Sequence, residues 1–145
     1  VGDPATDNGP AWLLIDDMLV VKPIVFQERR PFDFQTMNAT SEYTWFNNKF
    51  AAGVDGRHGY GFGFPQTAIG SKAVLDAANF ESAKTKLASM KKSNGTPIGT
   101  MARVLVVGPS NEAAARKLIK REFLDSGESN IYYNNVEIVV NRYLV

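Results

Sequence analysis

The chain has 145 residues, 44% hydrophobic and 21% charged, which is enough length and apolar content for a folded domain with a substantial core. Sixteen basic and fifteen acidic residues leave a formal net charge of +1, too balanced for a broad phosphate-binding field. There is no cysteine and one histidine, His58, which excludes disulfides, thiol catalysis, cysteine-based zinc sites and paired-histidine metal motifs.

The first ten residues are polar and turn-rich, without the basic and apolar regions of a signal peptide. They read as a flexible loop at a cut inside a longer protein. No apolar run approaches the ~20 residues of a membrane-spanning helix, and the cytoplasm is the default compartment. Trp12-Leu13-Leu14-Ile15 is a short apolar run closed by an Asp16-Asp17 turn. Ile24 to Phe34 reads as a strand, and its first part, fenced by Pro23 and Pro31, runs into the charged cluster Glu28-Arg29-Arg30. From Glu42 to Val54, Tyr43, Trp45 and Phe50 supply strand-favouring mass around a polar Asn47-Asn48-Lys49 break. Five glycines between Gly53 and Gly63 predict a loop or bulged strand with unusual dihedral angles.

The second half is more regular. Asp76 caps a predicted helix over Ala77 to Lys91, with Phe80, Ala83, Leu87 and Met90 on one face and Asn94-Gly95 as its stop. Arg103 to Val107 reads as a buried strand and Ser110 as the cap of a second helix. The core face of that helix is Ala114, Ala115, Leu118, Ile119 and Phe123, and Gly127 is its stop. Val136 to Val140 is the last strand, followed by an apolar tail, Tyr143-Leu144-Val145. The expected organisation is a loop at 1–10, a strand-rich part with a glycine-rich junction at 11–70, and two helices on a sheet at 71–145.

Catalytic and binding motifs are poorly matched. Gly61-Phe62-Gly63-Phe64-Pro65-Gln66 has glutamine where a dinucleotide-binding fingerprint needs its third glycine, and Pro65 blocks the helix start. Gly70-Ser71-Lys72 resembles only the tail of a phosphate loop. Tyr60, Phe62 and Phe64 have the spacing of a base-stacking platform but lack a basic surround. His58 lies near Asp55 and Arg57, yet no nucleophile signature accompanies it. Asp16, Asp17, Asp33 and Asp55 have the spacing of turn and strand-edge charges. The Lys84, Lys86, Lys91 and Lys92 run reads as a solvated face. Glu28-Arg29-Arg30 reads either as a solvated strand end or as a contact surface. Alternation sends Arg29 and Arg30 to opposite sides, so one of them is expected to face packed protein.

Several strings together carry a family resemblance. They are Pro10 to Asp16 (P-A-W-L-L-I-D), Val21 to Arg30 (V-K-P-I-V-F-Q-E-R-R) and Gly59-Tyr60-Gly61-Phe62. They continue with Leu105-Val106-Val107, the helix from Ala113 to Phe123, and Val136 to Leu144. In order and approximate spacing the chain resembles the major head (capsid) subunit of Mu-like phages and prophages, the gpT family. Two departures stand out. The turn Val107-Gly108-Pro109-Ser110-Asn111-Glu112 puts Asn111 at an apolar docking position, and the glycine tract is longer than usual.

The resemblance implies an α+β chain of mixed layers, part of the tailed-phage (Hong Kong ninety-seven-type) capsid fold. It would comprise the axial domain and part of the peripheral domain. The missing half, with the arm, the extended loop and the spine helix, would precede Val1. The implied function is a structural subunit that self-assembles into capsomers around viral DNA, in the virion after assembly and in the bacterial cytoplasm before it. Implied partners are further copies of itself, scaffold and portal proteins, with no sequence-specific nucleic acid and no membrane. No catalytic, cofactor or metal site is expected. Glu28, Arg29 and Arg30 are the candidate subunit contacts, and Gly59, Gly61 and Gly63 the candidate hinge. Two other classes remain open: a prohead-protease-like hydrolase using His58 with Ser71 or Ser110, and a phosphate or nucleic-acid module using Gly59 to Gly63 with Lys72.

Overall fold

The computed structural model describes residues 8–38 and 41–144. Most of the expected N-terminal loop, residues 1–7, and the last residue of the apolar tail, Val145, lie outside the described residues. Internal contacts divide the chain into two compact units: residues up to Pro23 together with those from Phe62 onward, and Ile24–Gly61.

The first unit is built on a four-stranded sheet. Its strands are β1 (Trp12–Ile15), β4 (Ala68–Ser71), β5 (Val104–Val107) and β6 (Glu137–Val140), in the order β4-β1-β5-β6. β1 is antiparallel to both neighbours, so Trp12 lies opposite Ser71 on one side and Val107 on the other. β5 and β6 are parallel. A parallel pair cannot be joined by a tight turn, and the crossover contains helix α3 (Pro109–Ile119). Alternation along β1 and β5 turns Trp12, Leu14, Leu105 and Val107 to one face. There they meet Phe80, Ala83 and Leu87 of α2 (Ala77–Ala88) and Ala115 and Ile119 of α3 in one buried cluster. The Trp12 indole N–H donates to the Ala73 carbonyl at 2.7 Å, which satisfies the one polar atom this large ring brings into the core.

The two helices therefore pack on a sheet as expected, but the sheet recruits β1 and β4 from the first half of the sequence. Residues 11–70 and 71–145 are thus interleaved in one core. Helix α2 begins at the predicted cap, where Asp76 accepts from the Asn79 N–H at 2.8 Å. It ends at Ala88, before Lys91, because the Thr100 hydroxyl donates to the Leu87 carbonyl and the chain turns away. Asn94-Gly95 instead forms the turn between Lys91 and Pro97, with Gly95 at φ +83°.

Helix α3 is capped by Gly108, with Pro109 at its first position, rather than by Ser110. It stops at Ile119, so Phe123 falls outside it and is 56% exposed. The stop comes from Asn130, whose amide donates to the carbonyls of Leu118 and Arg121 at 2.8 and 2.7 Å. Gly127, at φ +85°, belongs to the following turn. Asn111 is buried at its unusual position because its amide donates to the Pro10 carbonyl at 2.9 Å. Asp16 is also buried, and its carboxylate accepts from the Met18 and Met101 N–H groups, both at 2.9 Å. Its role is to hold loops at the end of β1.

The second unit contains β2 (Ile24–Thr36), helix α1 (Glu42–Asn47) and most of β3 (Ala52–Phe62). The strand-like reading of 42–54 is corrected here. Ser41 accepts from the Thr44 N–H and opens a short helix, and Asn48 in the left-handed conformation closes it. Capping at both ends, by the Ser41 side chain and the Asn48 backbone N–H, outweighs the β-propensity of Tyr43, Trp45 and Phe46 over so short a span.

Candidate functional site

β2 and β3 form a two-stranded ribbon. They run antiparallel, since Arg30 meets Asp55 while Met37, just past the end of β2, bonds Ala51, just before β3. All thirteen residues of β2 are exposed. The expectation that Arg29 or Arg30 would face packed protein is therefore not met within the described residues. Pro31 is tolerated mid-strand because each strand of a two-stranded ribbon is an edge, and an edge has positions that need no donor.

Of the two alternatives for the glycine tract the strand holds: Gly53, Gly56, Gly59 and Gly61 lie in β3, and Gly63 follows it. Among the described residues, none of Gly53, Gly56, Gly59, Gly61 or Gly63 has positive φ. In β3, Val54, Gly56, His58, Tyr60 and Phe62 alternate with Gly53, Asp55, Arg57, Gly59 and Gly61. That alternation was present in the sequence, and the glycines masked it.

One face of the ribbon is aromatic. The His58 ring lies 5.5 Å from Phe26 and 4.4 Å from Phe32, and Tyr60 lies 5.4 Å from Phe26. Glu28 Oε2 approaches His58 Nε2 at 3.9 Å. The imidazole is thus enclosed by two phenyl rings and a carboxylate, a packing arrangement without a hydroxyl nucleophile. Ser71 and Ser110 belong to β4 and α3 of the other unit. Tyr60 and Phe62 remain 85% and 92% exposed, and Phe32 and Phe34 are also largely exposed. So much aromatic surface on one narrow element is far from what a finished soluble surface presents.

Each member of the charged triplet has a partner inside the ribbon. Arg30 pairs with Asp55 at 2.6 Å, Glu28 faces His58, and the Arg29 Nε–H donates to Gln27 Oε1 at 3.1 Å. Of these, Arg30–Asp55 is an exposed ion pair, and such a pair contributes about 0.2–1 kcal/mol. Stacked rings add roughly 0.5–1.5 kcal/mol per pair. Together they are marginal for a ribbon without a third strand.

The three hinge glycines differ. A Cβ at Gly61 would meet nothing within 4 Å, and one at Gly59 would reach only Gln27 Oε1 at 3.9 Å. Gly63 belongs to the first unit, where its N–H donates to the Pro23 carbonyl at 2.9 Å. A Cβ there would lie 2.0 Å from the Lys22 carbonyl oxygen. Glycine at 63 permits two backbones to touch. Gly70-Ser71-Lys72 ends β4 and is separated from α2 by several residues, so no helix N-terminus follows it as in a phosphate loop. Among the described residues no group of acidic residues and histidine is arranged to hold a metal ion, and no helix is long and apolar enough to cross a membrane.

A family model described as the Mu-like prophage major head subunit gpT matches residues 1–144. The chain is 32% identical to the Mu-like prophage FluMu major head subunit of Haemophilus influenzae, over 92% of this chain and 45% of the relative. It is 30% identical to the major capsid protein of Escherichia phage Mu, over 94% of this chain and 46% of the relative. Among solved structures, a chain of the bacteriophage JBD30 procapsid superposes with a TM-score of 0.82 at 29% identity, covering 97% of this chain and 47% of that one. A chain of the JBD30 capsid gives 0.82 at 15% identity, covering all of this chain and 50% of that one. The fold is that of phage capsid proteins, and the chain spans about half the length of these relatives.

Proposed function

The chain belongs to the Mu-like prophage major head subunit gpT family, and we propose that it forms half of a structural subunit whose copies assemble into a phage or prophage head around viral DNA. The observation that carries this reading is the ribbon, whose thirteen-residue strand β2 is exposed throughout and whose aromatic face is uncovered. A surface of that kind needs protein against it. The remainder of the subunit and neighbouring copies supply that cover. Copies meet head to tail in rings that close by rotation, and many modest contacts add up to a stable shell. The ribbon fits the role of a peripheral-domain element, and the sheet with α2 and α3 that of an axial domain.

In this reading the subunit acts by assembly and carries no catalytic centre, and it holds no cofactor. It resides in the virion, and in the bacterial cytoplasm before assembly, where scaffold and portal proteins are its further partners. Glu28, Arg29 and Arg30 set the register between neighbours by exchanging their partners within the ribbon for partners across an interface. Gly59 and Gly61 let β3 bend as a shell changes shape, whereas Gly63 stays fixed against Lys22. Unchanged assembly and expansion after Gly59→Ala and Gly61→Ala together would rule out that bending role.

The decisive experiment is electron microscopy of the full-length subunit expressed alone. Closed particles or tubular polyheads are expected. A soluble monomer that turns over a substrate, with fluorophosphonate labelling lost in His58→Ala, would overturn the proposal in favour of a hydrolase. Salt-sensitive DNA binding by the monomer would favour a nucleic-acid module instead.

A further inference from the structure

Asparagine followed by glycine is prone to lose its side-chain amide, because no Cβ shields the backbone nitrogen that comes next. The chain holds two such pairs, Asn8-Gly9 and Asn94-Gly95. Their settings differ. Gly9 is clamped to the sheet: its N–H donates to the Lys72 carbonyl at 3.1 Å, and a Cβ on it would lie 2.7 Å from that oxygen. The next carbonyl, that of Pro10, is held by the Asn111 amide at 2.9 Å. Asn94-Gly95 instead sits in the exposed turn between Lys91 and Pro97, where the bonds are local. The Gly95 N–H donates to the Lys92 carbonyl and the Lys92 N–H to that of Thr96, both at 2.9 Å. A Cβ on Gly95 would meet nothing within 4 Å, so the approach is open. The Asn94 side chain is already turned toward the backbone that follows it, since its Oδ1 accepts from the Thr96 N–H at 3.1 Å. A donor on Oδ1 polarises the amide carbonyl and stabilises the oxyanion that attack at Cγ would form.

We propose that Asn94 is a site of spontaneous modification, converted through a succinimide to aspartate and isoaspartate, while the fold protects Asn8. Local opening of the turn frees the Gly95 nitrogen from Lys92. That nitrogen loses its proton and bonds to Asn94 Cγ. The Cγ–Nδ2 bond breaks, and ammonia leaves with the proton. Water then opens the ring. Attack at Cγ gives aspartate, and attack at the main-chain carbonyl gives isoaspartate, whose main chain runs through the former side chain. One water is consumed for each ammonia released, and nothing is oxidised or reduced. The product brings a carboxylate into a turn whose Lys91 and Lys92 have no ion pair among the described residues. Its isoaspartate form also lengthens the main chain inside the loop that Lys92 and Thr96 close. None of this depends on the assembly reading.

The test ages the whole folded chain at mildly alkaline pH, where more of the backbone nitrogen is deprotonated, and maps its peptides by mass spectrometry. Asn94 is expected to convert about tenfold faster than Asn8, the factor that two further hydrogen bonds of ordinary net strength place on a local opening. Labelling by an isoaspartate methyltransferase should fall on the peptide that contains position 94. Asn94→Gln should abolish that labelling, because its longer side chain closes a ring far more slowly. In urea, where neither pair is held, the two sites should convert at comparable rates. A folded chain in which Asn94 stays intact, or in which Asn8 converts as fast, would overturn the inference. So would aspartate at 94 without isoaspartate, the mark of direct hydrolysis of the side-chain amide. A urea ratio equal to the folded one would trace the preference to neighbouring residues and overturn the protection of Asn8 by the fold.

Discussion

The sheet-and-helix unit and the ribbon carry comparable apolar side chains and place them oppositely. In the first, Trp12, Leu14, Phe80, Leu87, Leu105 and Ile119 are fully buried, and the polar groups enclosed with them, such as Asn111 and Asn130, are hydrogen-bonded. In the second, Phe26, Phe32, Phe34, Tyr60 and Phe62 are comparable apolar side chains, yet all are exposed. Composition does not separate the two units. The difference is whether a layer that covers the apolar face is present among the described residues of the same unit. The first unit supplies its own cover with α2 and α3. For the ribbon, no second layer is present among the described residues of its own unit. Self-sufficiency suits a part that must hold its shape alone, and an uncovered aromatic face suits a part completed by other protein.

The largest expected effect breaks this comparison directly. Phe80→Ala should cost about 3–5 kcal/mol in urea unfolding of the 145-residue chain, because it opens a cavity in a closed core. Phe32→Ala should cost under about 1 kcal/mol in the same measurement, because its ring is already exposed. Equal costs would mean that the ribbon has a cover of its own. Next in size is the glycine pair. Gly63→Ala forces a Cβ against the Lys22 carbonyl and should cost about 1–3 kcal/mol, whereas Gly61→Ala, with open space around it, should be close to neutral by thermal melting.

A smaller contrast compares polar contacts. Asp76→Ala removes a helix cap in the first unit and should cost about 1 kcal/mol. Arg30→Ala removes an exposed ion pair in the ribbon and should cost less than that. The smallest effect is a pH dependence. A hydrogen bond from Arg121, followed by the charges of Arg121 and Lys117, holds the Asp125 carboxyl below the ordinary carboxylate value. A lowered folded-state value means that this exposed cluster stabilises the fold above the ordinary carboxylate range and loses its effect as pH falls through the lowered value. NMR titration of Asp125 should show that lowered midpoint, and Arg121→Ala should move it back up.

Much of the first unit could be read directly from local pattern. The face Phe80, Ala83 and Leu87, the Asp76 cap and the apolar strand runs at 12–15 and 104–107 are short-range signals, and the structure keeps them. Boundaries were less legible. Helix α2 stops where Thr100 takes a carbonyl, and α3 stops where Asn130 takes two, and neither partner is near in sequence. The glycine tract leaves loop and strand both open in the sequence, because an individual glycine in a strand looks the same as a glycine in a turn. Only pairing with β2 distinguishes them. The charged triplet is legible as a surface feature, but the partners of Arg30 and Glu28, Asp55 and His58, lie on the other strand of the ribbon, far along the chain.

The sequence by itself determined the α+β class, the existence of both long helices, the lack of cysteine and paired-histidine chemistry, and, through strings such as Val21 to Arg30, the resemblance to the family. These depend on local periodicity and residue identity, which survive without three-dimensional context. Tertiary structure alone decided that β1 lies between β4 and β5, that Asn111 belongs in the core, and that residues 24–36 and 52–62 form a ribbon with an aromatic face. Each of these depends on which distant backbone groups pair, and hydrogen-bond pairing across tens of residues leaves no periodic trace in the chain.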